Sequence, residues 1–239
     1  KCEIKKNIGI VGDRIFAFAK GLDLDQVKLF EKKPEERRGK WNKLLTLKNS
    51  PVLNKYNFSY KGNKLTLIYK NEEILTIDTN ELQECQLLSN KILELENSLQ
   101  KPIVLMKNKK LPFFDTSISN KTTLSHSVSL LNIRSIEDFQ NKINQKIENS
   151  RFRGNIYIDG IKAWEERNWI GKIIKINDVS FKVEKNIPRC IAINLKPNTD
   201  DNSLNLLQSL KKTYNHFYMG IYLTALDDGN INTGNSINL

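Results

Sequence analysis

The sequence predicts a mainly β fold: a closed or nearly closed β-barrel with helices packed outside it or across one end. Two observations carry this. Segments of β-type composition are separated by turn residues at intervals of roughly 6–12 residues. Only a few segments carry a helical period, and no internal repeat or low-complexity tract interrupts the pattern. At 239 residues and 27.7 kDa, with 39% hydrophobic and 27% charged residues and a mean hydropathy of -0.49, the chain has the composition of a soluble globular protein able to bury a core without disulfides or metals.

Taken in order, Ile15–Ala19, Val27–Phe30 and Lys43–Leu47 read as short strands, followed by the hairpin Tyr56–Tyr60/Lys64–Tyr69 across Lys61-Gly62-Asn63. The period then changes. Leu82, Cys85, Leu88, Ile92, Leu95 and Leu99 recur at helical spacing, with Asp78 or Thr79 as N-cap, so Cys85 packs in a helix face. Lys101–Lys110 reads as a connector containing a strand. Ile136, Phe139, Ile143 and Ile147 mark a second helix, with Ser135 and Asp138 resembling a capping box. From Asn155 the chain returns to strands: Asn155–Ile158, Ile170–Ile176, Val179–Glu184 and Cys190–Leu195, with turns at Asp159-Gly160 and Asn177-Asp178. A short helix near Ser203–Lys212 precedes a strand at Phe217–Ala225.

No apolar stretch approaches the roughly 18 residues of a membrane span, and no apolar signal region follows the basic start, so the chain reads as cytoplasmic. The net charge of +11 raises nucleic acid as a partner, a basic nucleic-acid-binding β-barrel being one reading. Its distribution argues against it. Residues 1–110 carry 22 basic and 14 acidic side chains, residues 111–239 carry 16 and 13, and the signs alternate rather than forming a phosphate-tracking stripe. No nucleic acid is expected. Thirty of the 38 basic residues are Lys and eight are Arg, and a guanidinium fork grips phosphate or carboxylate as an ammonium cannot. Three widely spaced cysteines, Cys2, Cys85 and Cys190, make neither a disulfide framework nor a four-thiolate iron–sulfur site. Redox chemistry here would need electrons from another protein or cofactor.

The chain contains no P-loop, dinucleotide fingerprint, nucleophile elbow, His-Glu-x-x-His or Cys-x-x-Cys. His126 and His216 are too few for a histidine-rich metal site and read as structural, while Glu165-Glu166 and Asp200-Asp201 read as solvated surface. Two constellations stand out. Cys190 opens an alternating strand whose Ile191, Ile193 and Leu195 face the core, which puts Cys190 on the other face after Arg189 and near Lys185. Neighbouring cations favour a thiolate suited to a nucleophile, a sulfur carrier or a metal ligand, whereas a small buried hydrophobe is the plainer reading. In Arg151-Phe152-Arg153-Gly154-Asn155, an extended backbone places Arg151, Arg153 and Asn155 on one side, able to meet an anion or simply to project charge into solvent.

These two constellations, in this order, resemble the MOSC family, named after the C-terminal domain of molybdenum cofactor sulfurases. The resemblance rests on Arg151 through Gly160, Ala163-Trp164-Glu165, Asn168-Trp169-Ile170-Gly171, Pro188-Arg189-Cys190, and Gly220-Ile221-Tyr222 with Gly229 and Gly234. Upstream it takes in Phe114-Asp115-Thr116 and a helix lead-in at Ser129–Asn132, and Gly9–Phe18 looks like the family's N-terminal β-barrel module. It implies a smaller β-rich module over residues 1–100, its opening strand not seen ahead of Lys1, and a β-barrel MOSC domain over 101–239. Similarity to the two-module members, which include the mitochondrial amidoxime-reducing component and bacterial relatives, implies a molybdenum-cofactor oxidoreductase. Such an enzyme would reduce small N-hydroxylated substrates with electrons from a separate reductase. By motif position, Cys190 would ligate molybdenum. Arg153, Asn155 and Arg189 would hold the pterin and its phosphate, with Arg14, Asp115, Thr116 and Ser117 as further cofactor contacts. A sulfur-carrier protein holding a persulfide on Cys190 is the alternative the family offers.

Overall fold

The computed structural model describes residues 1–33, 37, 40–109, 111–113 and 126–239. The chain divides into two compact units, one drawn from Lys1–Asp13, Lys121–Asn194 and Ser203–Leu239, the other from Arg14–Asn120 and Leu195–Asn202.

The first unit is built on a curled six-stranded sheet of β8 (Val128–Asn132), β9 (Ile156–Ile158), β10 (Ile173–Ile176), β11 (Val179–Pro188), β12 (Tyr218–Ala225) and β14 (Ile237–Asn238), in the order β14-β10-β11-β12-β8-β9. All pairings are antiparallel except β8 with β9. A smaller sheet, β13 (Gly229–Ile231), β1 (Cys2–Lys5) and β2 (Gly9–Ile10), joins the start of the chain to its last quarter. The concave face closes over Leu130, Ile174, Val179, Phe181, Val183, Ile221 and Leu223, each fully buried. A second core lies against α3 (Ile133–Ile143) and α4 (Leu206–Tyr214) and includes Leu131, Phe139, Phe152 and Leu210. Residues alternate between these cores along β8: Leu130 faces one and Leu131 the other, the period-2 signature of a strand buried on both sides. The half-barrel with packed helices is the fold the sequence predicts.

The second unit pairs β3 (Phe16–Lys20) with β7 (Ile103–Lys107) and carries the meander β4 (Tyr56–Lys61), β5 (Lys64–Tyr69) and β6 (Glu72–Asp78). Helix α2 (Leu82–Leu95) buries Leu88 and Ile92 against Leu65, Leu67 and Ile77. Cys85 packs half-buried against that cluster, in the helix face where its period put it.

Several local expectations are corrected. Val27–Phe30 is not a strand but lies in α1 (Leu24–Lys32), because Asp23 and Gln26 form a reciprocal capping box and Val27 and Phe30 fall on one buried helix face. Lys43–Leu47 starts in a 3-10 turn, Trp41–Lys43, and meets β3 through the bridge Leu44 to Ala19 and the Leu45 amide on the Phe18 carbonyl, without forming a strand of its own. The N-cap of α2 is Glu81 rather than Asp78 or Thr79, and the Glu84 carboxylate instead accepts from the Asp78 amide. Ser129–Asn132 is strand, and Asn132 caps α3 by accepting from the Arg134 amide at 3.0 Å. That leaves Ser135 inside the helix, where it meets Glu166. Glu166 is not solvated: it is fully buried, accepting from Asn132 Nδ2 at 2.9 Å and from Ser135 Oγ at 2.9 Å. Burial pushes its carboxyl above the ordinary range, against the pull of those hydrogen bonds and of Arg167. Among the described residues no helix is long and apolar enough to cross a membrane.

Candidate functional site

Strand β11 delivers Arg189 and Cys190 at its end. Its register against β12 slips twice, between Val183 and Lys185 and between Asn186 and Pro188, so the strand bends before it stops. The Arg189 amide then bonds the Phe217 carbonyl at 2.8 Å and the chain turns away. The expected strand from Cys190 to Leu195 is instead a 3-10 turn, Ile191–Asn194, closed by the Ile193 amide on the Cys190 carbonyl at 3.2 Å. Strand alternation therefore does not place Cys190: Ile191 is 54% exposed and Ile193 is buried. The thiol nevertheless reaches a half-buried position beside arginines.

Arg189 lies along the protein interior. Its Nε and Nη2 donate to the Met219 carbonyl at 2.8 and 2.5 Å, its Nη1 donates to the Phe152 carbonyl at 2.7 Å, and its guanidinium sits 5.8 Å from the Phe152 ring. No carboxylate pairs with it among the described residues. Burial draws its pKa down to about 10, with Tyr222, Tyr157 and Cys190 opposing that fall and Arg153 adding to it. It remains a cation at neutral pH, fixed by carbonyl dipoles with its charge uncancelled.

The segment before β9 is not extended. Asn149–Phe152 forms a 3-10 turn, and Arg153 follows at φ 48, in the left-handed region. This reversal separates the two arginines that an extended reading placed side by side. Arg151 is 1% exposed, donating to Glu148 Oε2 at 2.7 Å and to the Asn194 carbonyl at 2.6 Å. Arg153 turns toward the Cys190 loop, where its Nη1 donates to the Ala192 and Arg151 carbonyls at 2.6 and 2.9 Å. Burial lowers its pKa, with Cys190 and Tyr157 opposing and Arg151 reinforcing. At Gly154 a Cβ would stand 2.2 Å from Leu131 Cδ1, so a larger residue there requires the buried Leu131 side chain to move.

The structure thus brings Arg153, Arg189 and Cys190 together and adds Tyr157, which sequence reasoning missed. The Tyr157 hydroxyl accepts from the Gly154 amide at 2.9 Å and donates to the Asn149 carbonyl at 3.0 Å, bracing the turn that aims Arg153. Its one sequence signal was alternation from Asn155. Asn155 itself is exposed and its Oδ1 accepts from the Ser129 amide and hydroxyl at 3.0 and 2.8 Å. It lines a cleft of about 880 Å³ with Cys2, Trp169 and Ile237, whose lining includes none of Arg153, Arg189 and Cys190. Arg14 belongs to the other unit, at φ 53, with its carbonyl accepting from the Phe113 amide at 2.8 Å. Asp115, Thr116 and Ser117 lie outside the described residues.

Comparison with known proteins agrees with this arrangement of motifs. A match of 31% identity over 72 residues, covering 30% of this chain and 21% of the relative, links it to mitochondrial amidoxime reducing component 2 of Rattus norvegicus. The aligned region thus spans about a fifth of the length of that curated relative. The model of the MOSC domain matches residues 117–238, more than half the chain and the whole run from the first arginine turn to β14. The chain belongs to the MOSC domain family.

Proposed function

We propose that this chain holds a molybdenum cofactor through Cys190 and reduces small N-hydroxylated compounds with electrons from a separate reductase. The observation that carries the reading is Arg189, a half-buried guanidinium held by two backbone carbonyls, without a carboxylate partner among the described residues, beside Arg153 and the Cys190 thiol. The donor set fits the group. A single soft thiolate would suit a metal that a pterin dithiolene also holds through sulfur, and the guanidinium groups of Arg189 and Arg153 would suit the pterin's terminal phosphate.

When bound, the cofactor supplies the two-electron redox step. The work of the chain is positional. Arg189 and Arg153 present positive charge that cannot swing away, because carbonyls of Met219, Phe152, Ala192 and Arg151 occupy parts of both forks. Cys190 would supply the single thiolate that a metal takes as ligand. In the net reaction the N–O bond breaks, the oxygen leaves as water, and the substrate takes up two electrons from the reductase and two protons from solvent.

The test is metal and pterin content of the protein made in a cofactor-competent host, beside Cys190→Ser. The reading expects about one molybdenum per chain, reduced roughly tenfold or more in the variant. Protein that carries pterin but keeps its molybdenum in Cys190→Ser would remove the thiolate from the metal. A chain without metal that carries one extra sulfur on Cys190 would establish the sulfur-carrier alternative instead.

A further inference from the structure

A second polar pocket of about 480 Å³ lies in the first unit, lined by Trp164, Glu165, Arg167, Asn168 and Asn186. Its two charged residues do not pair with each other. Arg167 spends one N–H on the neutral His216 ring, Nη1 to Nε2 at 2.8 Å, and has no ion pair among the described residues. Its charge reaches the buried Glu166 carboxylate only through space. The Glu165 carboxylate has a single long contact, Asn168 Nδ2 at 3.5 Å. At the base, Asn186 Oδ1 is buried without a hydrogen-bond partner. The wall is pre-set: Trp164 sits at φ 66, a conformation a bulky residue adopts only when its surroundings enforce it. Its amide donates to Ser135 Oγ at 2.7 Å, its indole Nε1 donates to Asp138 Oδ2 at 2.7 Å, and its ring lies 4.5 Å from Tyr214.

We infer that this pocket binds the zwitterionic head of an α-amino acid, carboxylate on Arg167 and ammonium on Glu165, with the side chain against the Trp164 ring. Opposite charges that face one pocket without neutralising each other disfavour a plain anion, which Glu165 repels, and a plain cation, which Arg167 repels. A ligand that carries both signs a few ångströms apart satisfies both, and a planar guanidinium is matched to a carboxylate. The indole makes an apolar or aromatic side chain the better fit. The inference does not depend on Cys190.

The probe is phenylalanine, titrated calorimetrically into the full chain at low salt, beside 3-phenylpropionate, which lacks the ammonium, and phenethylamine, which lacks the carboxylate. Phenylalanine should bind saturably and each analogue about tenfold or more weaker, the scale of one charge-assisted hydrogen bond. Arg167→Gln should abolish phenylalanine binding. Because Arg167 also touches His216, Glu165→Gln is the decisive variant, since its carboxylate gives up only the long Asn168 contact, which a Gln oxygen can still accept: it should weaken phenylalanine and strengthen phenylpropionate, reversing their order. No saturable binding up to about 50 mM, equal binding of all three compounds, or an unchanged order in Glu165→Gln overturns the proposal.

Discussion

Arg151 and Arg189 are both long cations drawn into the first unit, and their partners set them apart. Arg151 is almost wholly buried yet electrically quiet: Glu148 cancels its charge and the Asn194 carbonyl takes a second donor. Among the described residues Arg189 meets carbonyl dipoles and the Phe152 ring but no carboxylate, so its charge persists, and burial draws its pKa down to about 10. Arg151 is in fact the more deeply buried of the two, Arg189 being half-buried. What separates them is whether the protein neutralises the charge it has desolvated, since leaving a cation uncompensated is costly unless something else arrives to meet it.

The comparison breaks most visibly at Arg151. Arg151→Met should lower unfolding free energy by about 2–3 kcal/mol, the scale of lost charge-assisted hydrogen bonds, because the Asn194 carbonyl loses its donor, while water reaches the partly exposed Glu148. Molybdenum content should fall only as far as stability does. Denaturant unfolding beside metal analysis checks this, and a stable variant that has lost its metal would transfer the functional role to Arg151.

Arg189→Lys tests the other side with a smaller effect on folding. An ammonium cannot span the Met219 and Phe152 carbonyls as the guanidinium does, so about 1–2 kcal/mol of stability should go. Cofactor retention should fall roughly tenfold although the formal charge is unchanged. Full retention in Arg189→Lys would reduce Arg189 to a strut.

The two arginines were equally visible in the sequence, but their difference was not. Periodicity over long segments was legible: the β4–β5 hairpin, α2, α3 and the β10–β11 turn at Asn177-Asp178 all follow from local composition. The site lies where local composition misleads. Cys190 through Leu195 alternates like a strand, yet Pro188 has no amide to continue the ladder, and Arg189 spends its own on Phe217. Arg153 at positive φ leaves no mark in an Arg-Phe-Arg string. The partners that decide each arginine's character, Met219, Asn194 and Ala192, are mostly backbone carbonyls about 30 to 40 residues away, and a carbonyl has no residue type to read. Glu166 was misread for the same reason, its donors Asn132 and Ser135 coming from a separate strand and helix.

A third arginine sharpens the contrast with the smallest effect. Among the described residues Arg167 leans on neither a carboxylate nor a carbonyl but on His216, whose Nε2 must hold a lone pair to accept from a guanidinium that never deprotonates. The ring proton then sits on Nδ1, so the Tyr218 amide, 3.2 Å away, faces another N–H and cannot donate at the same time. Burial lowers the His216 pKa first, and Arg167 and Lys211 add to the fall. A depressed histidine takes its proton later in the folded chain than in the unfolded one, where it titrates near 6.5. The neutral ring's contribution is thus complete above that value and is lost as pH falls through it toward the folded pKa. The ring is half-buried, so solvent screens much of the penalty. Between pH 7.5 and 5.5 the wild-type melting midpoint should drop by about 1–2 °C more than that of His216→Gln, whose amide oxygen accepts from Arg167 without titrating. Taking the difference between the two proteins removes the opposing response of Glu166, whose raised pKa adds stability as pH falls. Parallel curves for the two proteins would mean that Arg167 gives up the imidazole freely, and that its charge is as available to a ligand as the charge of Arg189.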